Sequence, residues 1–275
     1  MGCDKVKHLT NFLKGIAVGV ATLVPGVSGG TMAIILGIYD DLIHAVSTFF
    51  VDFKKKFIFL LTVGLGGVLG FLLFSRLLEN AITSYPSEMQ FLFMGIITGG
   101  LPVLYHKSVD SGKGNKKDFI FLILGFLIVL LMSAEPEAIV NMSTARGALS
   151  VIFLFFAGVI IAIALVLPGI SGSFMLLILG LYSVTLNAIN MINITFLIPL
   201  GLGVVAGTFG SAKIIEKFLQ KHPGKTYKLI IGFVLGSLVQ VFPGIPANSR
   251  LIPSAAAFIL GFIVLFCLGR KGLTD

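Results

Sequence analysis

Two apolar regions of this chain are each broken by the same short motif, in which a Pro-Gly pair precedes small polar residues. Residues 25–32 read PGVSGGTM, and residues 168–175 read PGISGSFM. The similarity continues at the same offset, because LGIY at 36–39 recurs as LGLY at 179–182. Broken apolar segments at matching places in two halves of a membrane protein point to a binding site near the middle of the bilayer. We therefore expect a fold of two related halves, each containing such a break.

The composition is that of a membrane protein. Hydrophobic residues make up 56% of the 275 residues, charged residues only 12%, and the mean hydropathy is +1.05. Cys3 and Cys267 stand at opposite ends of the chain and indicate neither a disulfide nor a redox role. The net charge of +8 comes from basic loops, which is a topology signal and not a nucleic-acid-binding surface. We find no metal-ligand cluster or nucleotide-binding loop and expect no cofactor, metal or nucleic-acid partner.

The apolar segments form two sets of five. They cover residues 11–24, 31–50, 57–75, 89–105 and 118–132, and then 150–167, 174–193, 194–212, 228–242 and 253–269. We interpret the chain as one polytopic domain over residues 1–275, with repeat one at about 10–133 and repeat two at about 150–270.

The first segment of each set is short for a full membrane crossing. Segment 11–24 would reach roughly 21 Å, whereas the hydrocarbon core is about 30 Å thick. We therefore predict that 11–24 and 31–50 form a re-entrant helical hairpin that turns at the motif. Segments 150–167 and 174–193 are predicted to form the second hairpin, although 150–167 is nearly long enough to span. Three transmembrane helices follow each hairpin.

Glycines recur in register in the two halves. The segment GLGGVLG at 64–70 matches GLGVVAG at 201–207, and Gly95 and Gly99 match Gly232 and Gly236. Glycines spaced four residues apart let membrane helices approach closely. The pattern predicts closely packed helix pairs that are repeated in the two halves.

The basic residues indicate the orientation of the chain. With the N-terminus and C-terminus in the cytoplasm, only Arg76, Arg146 and Arg250 of the lysines and arginines fall outside. Each half then crosses the membrane an odd number of times, so the halves have opposite orientations. We predict an all-α integral membrane protein with an inverted-topology internal repeat.

The two motif copies predict an anion site. A helix that begins inside the membrane presents unpaired backbone N–H groups and the positive end of its dipole, and glycines let a ligand approach the backbone. The candidate phosphate-binding residues are Ser28, Gly29, Gly30, Thr31, Ser171, Gly172 and Ser173. The turns are formed by Pro25, Gly26, Pro168 and Gly169. In the alternative interpretation, Pro-Gly merely turns the chain and Ser28 caps its own helix.

Two pairs of charged residues also match between the halves. Arg76 precedes Glu79 by one helical turn, and Lys213 precedes Glu216 in the same way. They are candidates for gating or for contact with a charged head group, and the alternative is a solvated helix end whose side chains snorkel. His44, on an apolar segment, is predicted to be a packed histidine.

The residues that carry these motifs resemble a known family. PGVSGGT at 25–31 and LPGISGSF at 167–174, with Tyr39 and Tyr182, are similar to the bacterial polyprenyl-phosphate transporters. The resemblance implies a flippase, not an enzyme, in the bacterial plasma membrane. It would return undecaprenyl phosphate, the lipid carrier of cell-wall synthesis, from the outer to the inner leaflet. Members often carry an acidic or amide residue at the position of Thr22. The resemblance leaves open whether the chain forms a homo-oligomer.

Two other functions fit part of the pattern. Paired half-helices also build channels and carriers for small anions. The sequence GVSG at 26–29 fits the Gly-x-Ser-Gly pattern of intramembrane serine hydrolases, which require a base near the serine. No histidine lies in an obvious partner segment.

Overall fold

A computed structural model describes residues 2–24, 27–110, 118–132, 148–246 and 248–272, and these parts of the chain are helical without strands. The helices of the first half are α1 (Gly2–Thr22), α2 (Gly29–Ile35), α3 (Tyr39–Ser47), α4 (Phe53–Ser84), α5 (Pro86–Asp110) and α6 (Phe119–Met132). Those of the second half are α7 (Ala148–Val166), α8 (Gly172–Ile178), α9 (Tyr182–Asn190), α10 (Ile194–Lys221), α11 (Pro223–Val241) and α12 (Asn248–Gly272).

The helices of the two halves follow one another in the same order and form equivalent pairs. α1 packs against α4, and α7 packs against α10 in the same way. α5 packs against α12, and α11 packs against α6, so the last two helices of each half are exchanged between the halves. The duplication seen in the sequence is therefore also present in the packing.

Glycines allow the close packing of α1 on α4. A Cβ atom added at Gly66 would lie 2.2 Å from the carbonyl oxygen of Phe12, and one at Gly70 would lie 2.3 Å from that of Ile16. Gly66 and Gly70 therefore pack against successive turns of α1, and the two helices run parallel. Since α1 and α4 start on the same side, the chain between them returns to the side from which α1 begins.

The second half repeats this arrangement. A Cβ atom at Gly203 would lie 2.0 Å from the carbonyl oxygen of Phe155, and one at Gly207 would lie 2.8 Å from that of Val159. α7 and α10 are therefore also parallel and closely packed. Gly232 and Gly236 of α11 pack in the same manner on α6, and Gly95 and Gly99 of α5 on α12. The close helix approaches predicted from the glycine pattern are confirmed.

The second arm of each predicted hairpin is not one helix. α2 has only seven residues and α3 has nine, and the two helices are bent by 117° where residues 36–38 separate them. Gly37 has φ +70°, and the amide of Ile38 donates to the carbonyl of Ala33, which closes α2 with a left-handed residue. Gly180, with φ +64°, ends α8 at the equivalent place. The prediction of continuous arms at 31–50 and 174–193 was wrong, because a glycine breaks each arm.

The lengths of the other helices correct the predicted spans. In the described part of the chain, α4, α5, α7, α10 and α12 are long and apolar enough to cross a bilayer. α7, which was predicted as a hairpin arm, belongs to this set. α6 has 14 residues and α11 begins with polar residues, so neither belongs to it. α1 starts at Gly2, nine residues before the predicted segment 11–24. The chain is a multi-pass membrane protein.

Candidate functional site

Both motif copies line one cavity of about 470 Å³. Its wall contains Ser28, Gly29 and Gly30 from the first copy and Ser171 and Gly172 from the second. Cavities of this size accommodate small ligands or the head group of a larger one. Residues that are far apart in the sequence thus form a single site.

Ser28 is the N-cap of α2. Its backbone is extended, with φ −84° and ψ 137°, and its Oγ accepts a hydrogen bond from the amide of Gly30 at 3.2 Å. The carbonyl of Ser28 accepts the first intrahelical bond, from the amide of Met32. A serine hydroxyl that accepts one bond retains its own hydrogen as a donor. Capping of α2 by Ser28, the alternative interpretation, is therefore present in the structure and is compatible with a bond from Ser28 to a ligand.

The second copy begins α8 in the same way. The carbonyl of Ser171 accepts a hydrogen bond from the amide of Met175 at 3.1 Å, as Ser28 does from Met32. Gly169 turns the chain with φ +87°, and a Cβ atom there would lie 2.8 Å from the amide nitrogen of Val234 in α11. A larger residue could not occupy this turn without moving α11.

The tips of the two motif copies touch each other. A Cβ atom at Gly30 would lie 3.3 Å from the Cα atom of Pro168. α2 also packs against α7, which ends just before the second motif. The beginnings of α2 and α8 therefore face the same cavity from two sides.

The described lining of the cavity combines hydroxyl groups and backbone with apolar side chains. The apolar part includes Val18, Val27, Leu42 and Ile170, and the only titratable side chain is that of Tyr39. No group of three or more His, Cys, Asp or Glu residues that could hold a metal exists among the described residues. The site can therefore offer hydrogen bonds and helix dipoles to an anion, next to an apolar surface.

Comparison with known proteins identifies the family. The profile of the undecaprenyl phosphate translocase-like family matches residues 18–259. This chain belongs to that family. It is similar to a polyprenyl-phosphate transporter of Staphylococcus aureus, with 39% identity over 94% of this chain and 95% of the relative. It is also similar to a polyprenyl-phosphate transporter of Vibrio cholerae, with 27% identity over 88% of this chain and 80% of the relative. No solved structure shows a significant match.

The remaining predicted phosphate ligands of this translocase-like protein lie elsewhere or outside the described residues. Thr31 is 3% exposed, does not line the cavity, and its hydroxyl has no hydrogen-bond partner among the described residues. Pro25 and Gly26 lie outside the described residues, as does the side chain of Ser173. Thr22, at the position where the resemblance predicts an acidic or amide residue, does line the cavity.

The predicted charged pairs do not reach the cavity. Arg76 and Glu79 on α4 are exposed, and so is Lys213 on α10. Glu216 instead contacts α3: one carboxylate oxygen lies 2.6 Å from Nδ1 of His44, and the other accepts a hydrogen bond from Ser47. The prediction that His44 is a packed histidine was wrong, because the last turn of α3 lies against α10 and brings His44 to Glu216.

Sequence reasoning also missed Tyr39. This residue lines the cavity, is 2% exposed, and donates a hydrogen bond from its hydroxyl to the carbonyl of Val166 at 3.0 Å. Val166 is the last residue of α7, so the bond joins the first hairpin to the chain just before the second motif. The recurrence of Tyr39 as Tyr182 in the repeat was the available signal.

Proposed function

We propose that this chain transports polyprenyl phosphate, and specifically undecaprenyl phosphate, across the membrane as a flippase. The phosphate binds between the two motif tips while the isoprenoid tail stays among the lipids. The observation that carries the proposal is the convergence of both motif copies on one cavity. The names of the two relatives and of the family support the choice of this lipid.

The chemistry of the cavity suits a lipid phosphate. A phosphate needs several hydrogen-bond donors, and Ser28, Ser171 and the amides of the first helical turns supply them. Thr22 also lines the cavity and carries no negative charge that would repel the head group, while its hydroxyl donates to the carbonyl of Gly19. Because the described lining has no cationic side chain, binding relies on dipoles and hydrogen bonds, which favours release on either side.

We further propose that the halves form an inverted repeat in the bacterial plasma membrane, with both termini in the cytoplasm. The parallel pairs α1–α4 and α7–α10 and the distribution of lysines support this arrangement. The proposed direction is from the outer to the inner leaflet, which recycles the carrier for cell-wall synthesis. Arg76 and Glu79 then lie towards one face, Lys213 and Glu216 towards the other, as head-group or gating charges.

The two other functions make different demands on the same cavity. A serine hydrolase needs a base near Ser28, and no His, Asp, Glu or Lys is present in the described lining. A carrier of small anions fits the dipoles and hydroxyls equally well but gives no role to the apolar wall. Uptake of inorganic phosphate therefore separates this function from lipid transfer.

The proposal is tested with purified protein in proteoliposomes that contain labelled undecaprenyl phosphate in both leaflets. A membrane-impermeant phosphatase is added outside. We expect the protein to expose the whole labelled pool to hydrolysis, whereas empty liposomes expose only the outer-leaflet pool. Equal hydrolysis with and without protein would contradict lipid transfer. Uptake of inorganic phosphate by the same vesicles, without lipid transfer, would establish the small-anion carrier instead.

A further inference from the structure

The hairpin of the first half makes a contact with the second half that has no full equivalent in the other direction. α3 of the first half packs along α10 of the second half. α9, the repeat equivalent of α3, does not pack to a comparable extent against α4, the repeat equivalent of α10, in the part that the structure describes. The contact between α3 and α10 is therefore formed, and the equivalent contact between α9 and α4 is not formed to a comparable extent in the described part of the chain.

Glu216 is the centre of the contact that is made. Its carboxylate is bonded to His44 and Ser47 of α3, and the side chain of Gln220 donates to the same carboxylate at 3.3 Å. The Glu216 side chain is 16% exposed, compared with 58% for that of His44. The contact therefore covers the carboxylate and clamps α3 to α10.

The repeat supplies a matching set of residues on the other face. At the offsets that relate the two halves, His44 corresponds to Asn187, and Glu216 corresponds to Glu79. The side chains of Asn187 and Glu79 are exposed and make no hydrogen bond to other described residues. An asparagine amide can donate to a carboxylate, so this pair has the chemistry to form an equivalent clamp.

The equivalent tyrosines of the two halves, Tyr39 and Tyr182, also differ in their contacts. Tyr39 is buried and bonded to the carbonyl of Val166, at the end of α7. Its equivalent, Tyr182, is 39% exposed and has no hydrogen bond from its hydroxyl among the described residues. The first hairpin is thus hydrogen-bonded to the second half at two places, Glu216 and the carbonyl of Val166. The second hairpin makes neither of the equivalent bonds to the first half among the described residues.

We infer that the protein has two clamps that close alternately: His44 and Ser47 on Glu216, and Asn187 on Glu79. This inference rests on the proposed transport function and assigns its gating residues. The structure represents the state in which the first clamp is closed. In the second state, α9 packs against α4, Tyr182 takes the position that Tyr39 has here, and His44 and Ser47 release Glu216. Each state opens the cavity between the motif tips towards a different face.

Two cysteine pairs test the inference in full-length protein that carries Cys3→Ser and Cys267→Ser. One variant has His44→Cys with Glu216→Cys, and the other has Asn187→Cys with Glu79→Cys. The control pair, His44→Cys with Glu79→Cys, joins residues of the two different clamps. Each variant is reconstituted with undecaprenyl phosphate and treated with a short thiol cross-linker, and mass spectrometry identifies the linked peptides.

We expect both clamp pairs to cross-link and the control pair to remain unlinked. Each linked variant should lose leaflet transfer relative to its own untreated form, which lacks one clamp and is expected to transfer lipid more slowly than wild type. Absence of the Asn187–Glu79 link would overturn the inference, and so would transfer that is unchanged by cross-linking in either variant. If both links form but protein with its clamp residues intact moves no lipid, the two clamps stand and polyprenyl-phosphate transport is the proposal that fails.

Discussion

Gly30 lies against Pro168, so the tip of the first motif touches the tip of the second. A Cβ atom at Gly30 would be 3.3 Å from the Cα atom of Pro168, which is closer than ordinary van der Waals contact. Ser28 and Ser171, which follow the two turns, line the same cavity beside this contact. A larger residue at position 30 would therefore have to push the tips apart.

Replacement of Gly30 by leucine should separate the tips. We expect the Gly30→Leu variant to transfer polyprenyl phosphate about 100-fold more slowly, since displacement of binding groups by about 1 Å has effects of this size. The measurement is leaflet transfer in proteoliposomes. Gly210→Leu is the matched control, because a Cβ atom at Gly210 would meet no atom within 4 Å. Equal rates in the two variants would show that contact between the tips is not required.

Ser28 has a structural and a proposed functional role that can be separated. The Ser28→Ala variant should lose about 1 kcal/mol of stability with the N-cap, and its affinity for the lipid phosphate should fall about tenfold or more. Asn193→Ala is the control, because Asn193 caps α10 by accepting from the amide of Phe196 and does not line the cavity. If Asn193→Ala weakened lipid binding as much as Ser28→Ala, the effect would come from helix capping alone.

The glycine contacts predict a difference between neighbouring positions of one helix. Gly203→Val should destabilise the protein by about 1–3 kcal/mol, because the new side chain would overlap the backbone of α7. Gly201→Val should have little effect on packing, since no atom lies within 4 Å of a Cβ atom there. Thermal unfolding in detergent measures both variants. Similar unfolding temperatures would contradict the close approach of α7 and α10.

Tyr39 and Tyr182 occupy equivalent positions of the repeat, but Tyr39 is buried and hydrogen-bonded whereas Tyr182 is exposed. Tyr39→Phe should destabilise the present state by about 1 kcal/mol and leave the carbonyl of Val166 without this donor. Tyr182→Phe should leave the stability of this state unchanged. Thermal unfolding of both variants in the absence of lipid tests the prediction, and a larger loss in Tyr182→Phe would reverse the assignment of the closed side.

Arg76 and Lys213 test whether exposed charge assists transport. If these side chains attract the head group, Arg76→Gln and Lys213→Gln should each slow transfer or weaken lipid binding, and high salt should reduce the difference from wild type. Lys217→Gln, on the same helix as Lys213, is a control for the general loss of positive charge. Wild-type kinetics in both test variants would leave only snorkelling as the role of these side chains.

The features that were predictable from the sequence are those encoded locally and then repeated. The motif tips come together as the duplication suggested, and the glycines mark the helix contacts. The breaks at Gly37 and Gly180 were missed because an apolar run around one glycine looks like a continuous helix. The bond between His44 and Glu216 joins residues that are far apart in the chain, and a single sequence carries no local signal for such a partner.

The boundaries of the helices were also only partly predictable from the sequence. α1 begins at Gly2, although its first residues are polar, because helix formation extends beyond the apolar segment that the hydropathy pattern marks. By contrast, the described bounds of α6, Phe119–Met132, agree with the predicted segment 118–132, but its 14 residues do not meet the length expected of a full span.

The most direct test of the account is a cryo-EM map of the protein in lipid nanodiscs that contain undecaprenyl phosphate. The account predicts phosphate density between Ser28 and Ser171, with tail density leaving the cavity past the exposed side chains of Thr22 and Leu165. Phosphate density at another place, with the cavity between the motif tips empty, would contradict it.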